Sequence, residues 1–128
     1  MNSADQRFPK TRRLLKHADF ERVYKQGKRH FAANITVFYL RRESEPSGGN
    51  PRIGFTVGKV LGGAVQRNLM KRRLREAVRL SGLQPECPVD IVINPKRSFL
   101  SAEFSEICSE VSTALRAIER SLGKSRRS

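Results

Sequence analysis

Carboxylates are scarce in this chain: 12 Asp+Glu stand against 26 Lys+Arg over 128 residues, a formal charge of +14. That scarcity argues against phosphodiester chemistry on protein-held metal ions, which needs several converging carboxylates. No D-x-D pair occurs, and near the basic segments only Asp19, Glu21, Glu76 and Asp90 are available. Asp19 suits the first turn of a helix, where the dipole favours it, and Glu76 suits local pairing on a basic helix. Histidine is equally thin: His17 and His30 have no Ser, Cys or second His at a useful spacing, so no nucleophile–base pair is offered. Cys87 and Cys108 are too few for a disulfide framework or a four-ligand zinc site, and read as reduced thiols of a cytoplasmic protein. No apolar run approaches the roughly 18 residues of a membrane-spanning helix. Met1–Arg13 also lacks the apolar stretch of a secretory signal.

What is present is enough for one core: 38% hydrophobic residues with 7 Phe in a chain of single-domain length. The charge is segregated. Arg7–Arg29 holds nine cations against Asp19 and Glu21, and Arg67–Arg79 holds six against Glu76. Glu103–Arg120 is mildly acidic, with four Glu against Arg116 and Arg120. Two basic segments and one acidic segment point to one face for a polyanion, chiefly nucleic acid, and another face turned away from it.

Phe20, Val23 and Tyr24 at i, i+3, i+4, with Gly27 as a stop, predict a helix over His17–Gln26. Ala33–Leu40 reads as a strand, with Ile35, Val37 and Tyr39 on one face and Asn34, Thr36 and Phe38 on the other. Glu43–Pro51 is a loop by its Pro, Gly and Ser content, and Arg52–Lys59 is a second strand. Strand, turn, strand predicts an antiparallel pair. Ala64–Leu80 is a helix closed by Ser81-Gly82, and Val89–Ile93 is a short strand ended by Pro95. Phe104, Ile107, Cys108, Val111, Leu115, Ile118 and Leu122 form the stripe of a last helix. Ser101 is its expected N-cap and Gly123 its expected stop. The order is α-β-β-α-β-α with room for one further short strand.

Projected at 100° per residue, Arg67, Asn68, Lys71, Arg72, Arg75 and Arg79 share one stripe of the central helix. Val65, Leu69, Met70, Leu74 and Ala77 fall mostly opposite, facing the sheet, and Arg73 falls on that apolar side. Cations at i, i+4 repel one another, so a stripe built of them is best explained by a polyanion that neutralises it. Guanidinium groups grip phosphates by bidentate hydrogen bonds, and Asn68 adds a neutral donor.

The run Lys59-Val60-Leu61-Gly62-Gly63-Ala64-Val65-Gln66-Arg67-Asn68-Leu69-Met70-Lys71-Arg72-Arg73-Leu74-Arg75-Glu76 resembles the signature helix of the bacterial ribonuclease P protein subunit. Arg13-Leu14, Asp19-Phe20 and Val23–Arg29 resemble that family's opening segment. Arg52–Val57 and Val89–Ile93 resemble the strands that flank its signature, so the likeness spans about Arg12 to Leu122. Leu69 and Val60 depart from it, standing where the family often has basic residues.

The resemblance implies an α+β fold, a single-domain α/β sandwich with a left-handed β-α-β crossover, similar to ribosomal protein S5 domain 2. It implies an arm at 1–12, the domain at 13–122 and a basic tail at 123–128. It implies a subunit of an endoribonuclease whose partner RNA is the catalyst, with Mg2+ held mainly by RNA, and no catalytic or metal-ligating residue on the protein. Lys59, Arg67, Asn68, Lys71, Arg72 and Arg75 would meet the catalytic ribonuclease P RNA. Arg12, Arg13, Phe20, Tyr24, Lys28, Arg29, Asn34, Thr36 and Phe38 would form a cleft for the single-stranded 5′ leader of precursor tRNA. Aromatic faces stack on unpaired bases with little sequence preference, which suits a variable leader. The protein would be cytoplasmic, with no membrane or DNA partner. Two rivals share its size and charge: a ribosomal-type structural RNA binder, and a DNA binder using Ala64–Leu80 in the major groove. No helix-turn-helix partner precedes that helix, which weakens the second.

Overall fold

The computed structural model describes residues 17–42, 51–81 and 89–127, with side chains up to 121. Arg12, Arg13, the expected arm at 1–12, the loop at 43–50, Cys87 and the Leu122 side chain lie outside the described residues. The elements are α1 (His17–Gln26), β1 (Lys28–Phe31), β2 (Ile35–Arg41), β3 (Arg52–Phe55), α2 (Ala64–Ser81), β4 (Val89–Pro95) and α3 (Phe104–Arg127). Short 3-10 turns at Lys59–Leu61 and Arg97–Ser101 precede α2 and α3. No helix among the described residues is long and apolar enough to cross a membrane.

The strands form one mixed sheet in the order β1-β2-β4-β3. β2 pairs antiparallel with β1 and β4, and β3 pairs parallel with β4. The expected antiparallel pairing of Ala33–Leu40 with Arg52–Lys59 does not occur. Val89-Asp90-Ile91-Val92-Ile93 is buried along its whole length and takes the place between them. A strand buried on both faces needs a neighbour on each side, and this requirement overrides the local turn signal. The antiparallel neighbour of β2 on its other side is Lys28-Arg29-His30-Phe31, whose polar sequence gave no strand pattern.

β2 begins at Ile35 rather than Ala33, β3 ends at Phe55 rather than Lys59, and β4 continues to Pro95. α3 starts at Phe104 and runs past Gly123 to Arg127. Ser101 therefore belongs to the preceding turn, where its hydroxyl donates to the Ser98 carbonyl. The reciprocal half of a capping box serves α3 instead: the Glu103 amide donates to Glu106 Oε1.

The main core lies between one sheet face and the two long helices. Ile35, Val37, Ile53, Val89, Ile91 and Ile93 meet Met70, Leu74, Ala77 and Val78 of α2 and Ile107, Val111, Leu115 and Ile118 of α3. Residues 70, 74, 77 and 78 form a narrow i, i+4, i+7, i+8 stripe. Val65 and Leu69, expected to face the sheet, lie off that stripe and are exposed, as is Arg73. The opposite sheet face carries α1, which packs on β2 and β4.

Two glycines fix the joints. A Cβ on Gly27 would lie 2.5 Å from the Val23 carbonyl oxygen and 2.6 Å from that of Tyr39, where α1 turns directly into β1. Gly62, at φ 147°, turns the chain from the 3-10 segment into α2. Gly62→Ala is expected to lower stability in urea denaturation by about 1–3 kcal/mol, the usual range for strained backbone. Gly27→Ala is expected to be at least as costly, because both clashing atoms are backbone.

Candidate nucleic-acid interface

On α2 the cationic stripe forms as the spacing predicts. Asn68 and Arg72 are exposed, and Arg67, Lys71 and Arg75 are half-buried along its flank. Arg67 is anchored: its Nε donates to the Gly62 carbonyl at 3.1 Å, and its amide donates to Gly63 at 2.9 Å. The guanidinium thereby ties the Gly62 turn to the first turn of the helix. Lys59 is exposed on the 3-10 turn that leads into that bend. Glu76 pairs locally with Arg79, which holds its carboxyl below the usual range through a hydrogen bond. The pair takes Arg79 out of the stripe as a lone cation, and Arg67, Asn68, Lys71, Arg72 and Arg75 make up the rest of it.

The sheet face under α1 has a different character. Strand partners share a face, so the register sets Phe31, Thr36 and Asn94 in one row and Arg29, Phe38, Val92 and Gly54 in the next. Tyr24 reaches across this face from α1. Its hydroxyl donates to Asn94 Oδ1 at 3.2 Å and shares a hydrogen bond with the Thr56 hydroxyl at 3.0 Å. Its ring meets Phe38 edge-on with centroids 4.9 Å apart. The Arg29 guanidinium lies 5.5 Å from the centre of the same Phe38 ring. Phe20, one turn before Tyr24, is half-buried, and Thr36 and Asn94 are likewise partly open.

The structure thus brings Tyr24, Arg29, Thr36 and Phe38 to one face, with half-buried Phe20 one turn before Tyr24 on α1, and Lys28 is exposed on the adjoining edge strand. Asn34 is placed elsewhere. It precedes β2, is buried, and gives its amide and its Nδ2 to the two carboxylate oxygens of Glu110 on α3, at 2.9 and 2.6 Å. Sequence reasoning missed Asn94, Thr56, Phe31 and Lys96. Phe31 is 65% exposed at the end of the same face, with the Lys96 ammonium 5.9 Å from its ring centre. Asn94 becomes visible only once β4 is known to lie beside β2.

One buried cluster was also missed. Asp90 has no exposure, and its carboxylate accepts from Arg52 Nε at 2.9 Å, Arg52 Nη2 at 2.9 Å and Arg42 Nη1 at 2.6 Å. Asp19 accepts from Arg22 at 2.5 Å and from Arg52 at 3.4 Å. The hydrogen bond to Asp90 raises the Arg52 pKa above its already high value. Among the described residues, no three His, Cys, Asp or Glu side chains come together as metal ligands. Asp19 and Asp90, the two carboxylates of this cluster, are both turned to guanidinium groups.

Comparison with known proteins bears on both surfaces. The sequence model of the Ribonuclease P family matches residues 8–119. A ribonuclease P protein component from Syntrophus aciditrophicus is 35% identical over 83% of this chain and 86% of its own length. One from Brucella melitensis is 39% identical over 90% of this chain and 86% of its own length. The solved RNase P protein of Staphylococcus aureus superposes with a TM-score of 0.69 at 26% identity, covering 83% of this chain and 94% of that one. The RNase P protein of Thermotoga maritima gives 0.66 at 25% identity, over 82% of this chain and 96% of that one. Sequence and fold agree over nearly the same span, and on that ground the chain belongs to the ribonuclease P family, as the protein component of the endoribonuclease that processes tRNA 5′ ends.

Proposed function

We propose that this subunit works through two surfaces, one for the catalytic RNA and one for the substrate leader. The α2 stripe of Arg67, Asn68, Lys71, Arg72 and Arg75, with Lys59 on the preceding turn, docks ribonuclease P RNA by phosphate contacts. The face of Phe20, Tyr24, Arg29, Thr36 and Phe38, extended by Asn94 and Thr56, takes the unpaired 5′ leader of precursor tRNA. Asn34 is left out of that face, since both its donors are committed to Glu110. Hydrolysis belongs to the RNA, with Mg2+ on RNA phosphates, and the protein supplies binding energy and relief of phosphate repulsion. The site of action is the cytoplasm, where precursor tRNA is made.

The observation that carries this reading is the pair of surfaces on opposite sides of one sheet. One is a phosphate-type stripe without aromatics, and the other is an aromatic platform with a cation over Phe38. Stacking on such a platform contributes about 1–3 kcal/mol per base with little sequence preference.

Cleavage of a precursor tRNA by bacterial ribonuclease P RNA at low magnesium, with and without this protein, tests the whole. Strong stimulation with cut ends at the mature 5′ position is expected, and no cleavage by protein alone. Absence of stimulation despite tight, salt-sensitive RNA binding would make the chain a structural RNA binder instead. Arg72→Ala is expected to weaken assembly with the catalytic RNA and to lower the log–log salt slope by about one. Phe20→Ala is expected to leave assembly intact and weaken precursor tRNA by roughly 5–150-fold, the range of one lost base stack. Mature tRNA should be unaffected, and an equal loss for both would remove the leader assignment.

A further inference from the structure

α1 forms one wall of the proposed leader cleft, yet it has little apolar hold on the sheet. Of its residues only Asp19 and Val23 are buried. Burying one valine contributes about 1.5–3 kcal/mol, and that contact is non-directional. An isolated helix of this length is also marginal in water. Directional contacts must therefore orient it, and Tyr24 supplies only those near its C-terminal end.

The ionic cluster provides that direction. Arg52 and Asp90 are register partners on β3 and β4, joined by two parallel hydrogen bonds of 2.9 Å. This fork fixes the Arg52 guanidinium in place, with Nη2 3.4 Å from Asp19 on α1. Arg22, one turn beyond Asp19, bonds Asp19 and lies 3.7 Å from Asp90. α1 therefore has two ionic attachments to the sheet, one by its own carboxylate and one by its own guanidinium, besides the Tyr24 contacts. Tyr24 follows Arg22 by two residues, so the point of attachment is within one turn of the aromatic side chain that crosses the cleft. A buried ion pair adds little net stability over apolar packing, but its geometry is specific.

We propose that Asp90 is a positioning residue for the leader: acting through Arg52 and Asp19, it sets the pose of α1 and so places Phe20 and Tyr24 over Phe38 and Asn94. This rests on the leader-cleft reading above. Asp90 touches no RNA, and its influence on substrate passes through the helix.

The test uses the reconstituted holoenzyme with Asp90→Asn, which keeps the side-chain shape and removes the charge. Ile118→Ala, on the core-facing side of α3 and part of neither proposed surface, serves as the control for lost stability. Asp90→Asn is expected to reduce the preference for precursor over mature tRNA by about tenfold or more, the scale on which small misplacements act. The affinity for ribonuclease P RNA should stay within about twofold, and amide exchange across α1 should speed up while that of α2 holds. Ile118→Ala should keep the tRNA preference at temperatures where it remains folded. If Asp90→Asn retains the preference, or if Ile118→Ala loses it equally, the positioning role is wrong. Should Asp90→Asn fail to fold, Asp19→Asn on α1 carries the same comparison. Phe20→Ala run in parallel separates the two levels. Loss there with none in Asp90→Asn overturns only the positioning role, and no loss there removes the cleft along with it.

Discussion

The organisation of this molecule turns on one buried negative charge. Asp90 sits in the most enclosed strand of the sheet, and a lone carboxylate there would be costly enough to unfold a small domain. It is tolerated because guanidinium groups reach it from β3, from the end of β2 and from α1. The same contacts that neutralise it connect three otherwise separate segments. The chain contains few carboxylates, and the described ones are largely committed to internal or local partners: Asp19 and Asp90 to arginines, Glu110 to Asn34, Glu76 to Arg79, Glu21 to His17. The outward cations of α2 are consequently left for a partner with phosphates.

The helices and their burial were legible because a 3.6-residue period survives any tertiary arrangement. The ends of α1 were read correctly, and α2 runs one residue beyond its expected end. Of the expected α3 stripe, Ile107, Val111, Leu115 and Ile118 are buried and Cys108 is partly so, with Ala114 buried beside them. Strand neighbours were not legible. Whether Arg52–Phe55 pairs with β2 or with a strand that follows a helix 18 residues long depends on non-local burial, which no local pattern records. That single misplacement hid Asn94 and Thr56 from the candidate face, because their proximity to Tyr24 and Thr36 exists only in the true strand order.

Three smaller departures each have a local cause. Leu69 and Val65 were assigned inward because they are apolar, and Arg73 fell on that same flank in the projection. The structure follows geometry instead: the arc of α2 that meets the sheet is centred on Leu74, and 100° steps carry positions 65, 69 and 73 away from it. Asn34 was placed on the strand face by extrapolating the alternation two residues too early. In the turn between β1 and β2 its polar groups needed partners, and Glu110 supplies both. Asp90 was noted as a carboxylate without a role, although a single acid inside Val89–Ile93 is itself a signal that cations must converge there.

β1 has a further consequence. Among the described residues it is an edge of the sheet, and an edge strand with free hydrogen-bonding groups invites a second sheet to extend it. Its sequence is Lys28-Arg29-His30-Phe31, with both cations exposed. Two copies that met edge to edge would crowd the Lys28 and Arg29 cations of both chains into one short seam, which opposes self-association by strand addition. An incoming phosphodiester strand meets the opposite condition at the same residues. Under the proposed function, the edge that opposes a second copy is the one whose cations favour a polyanion.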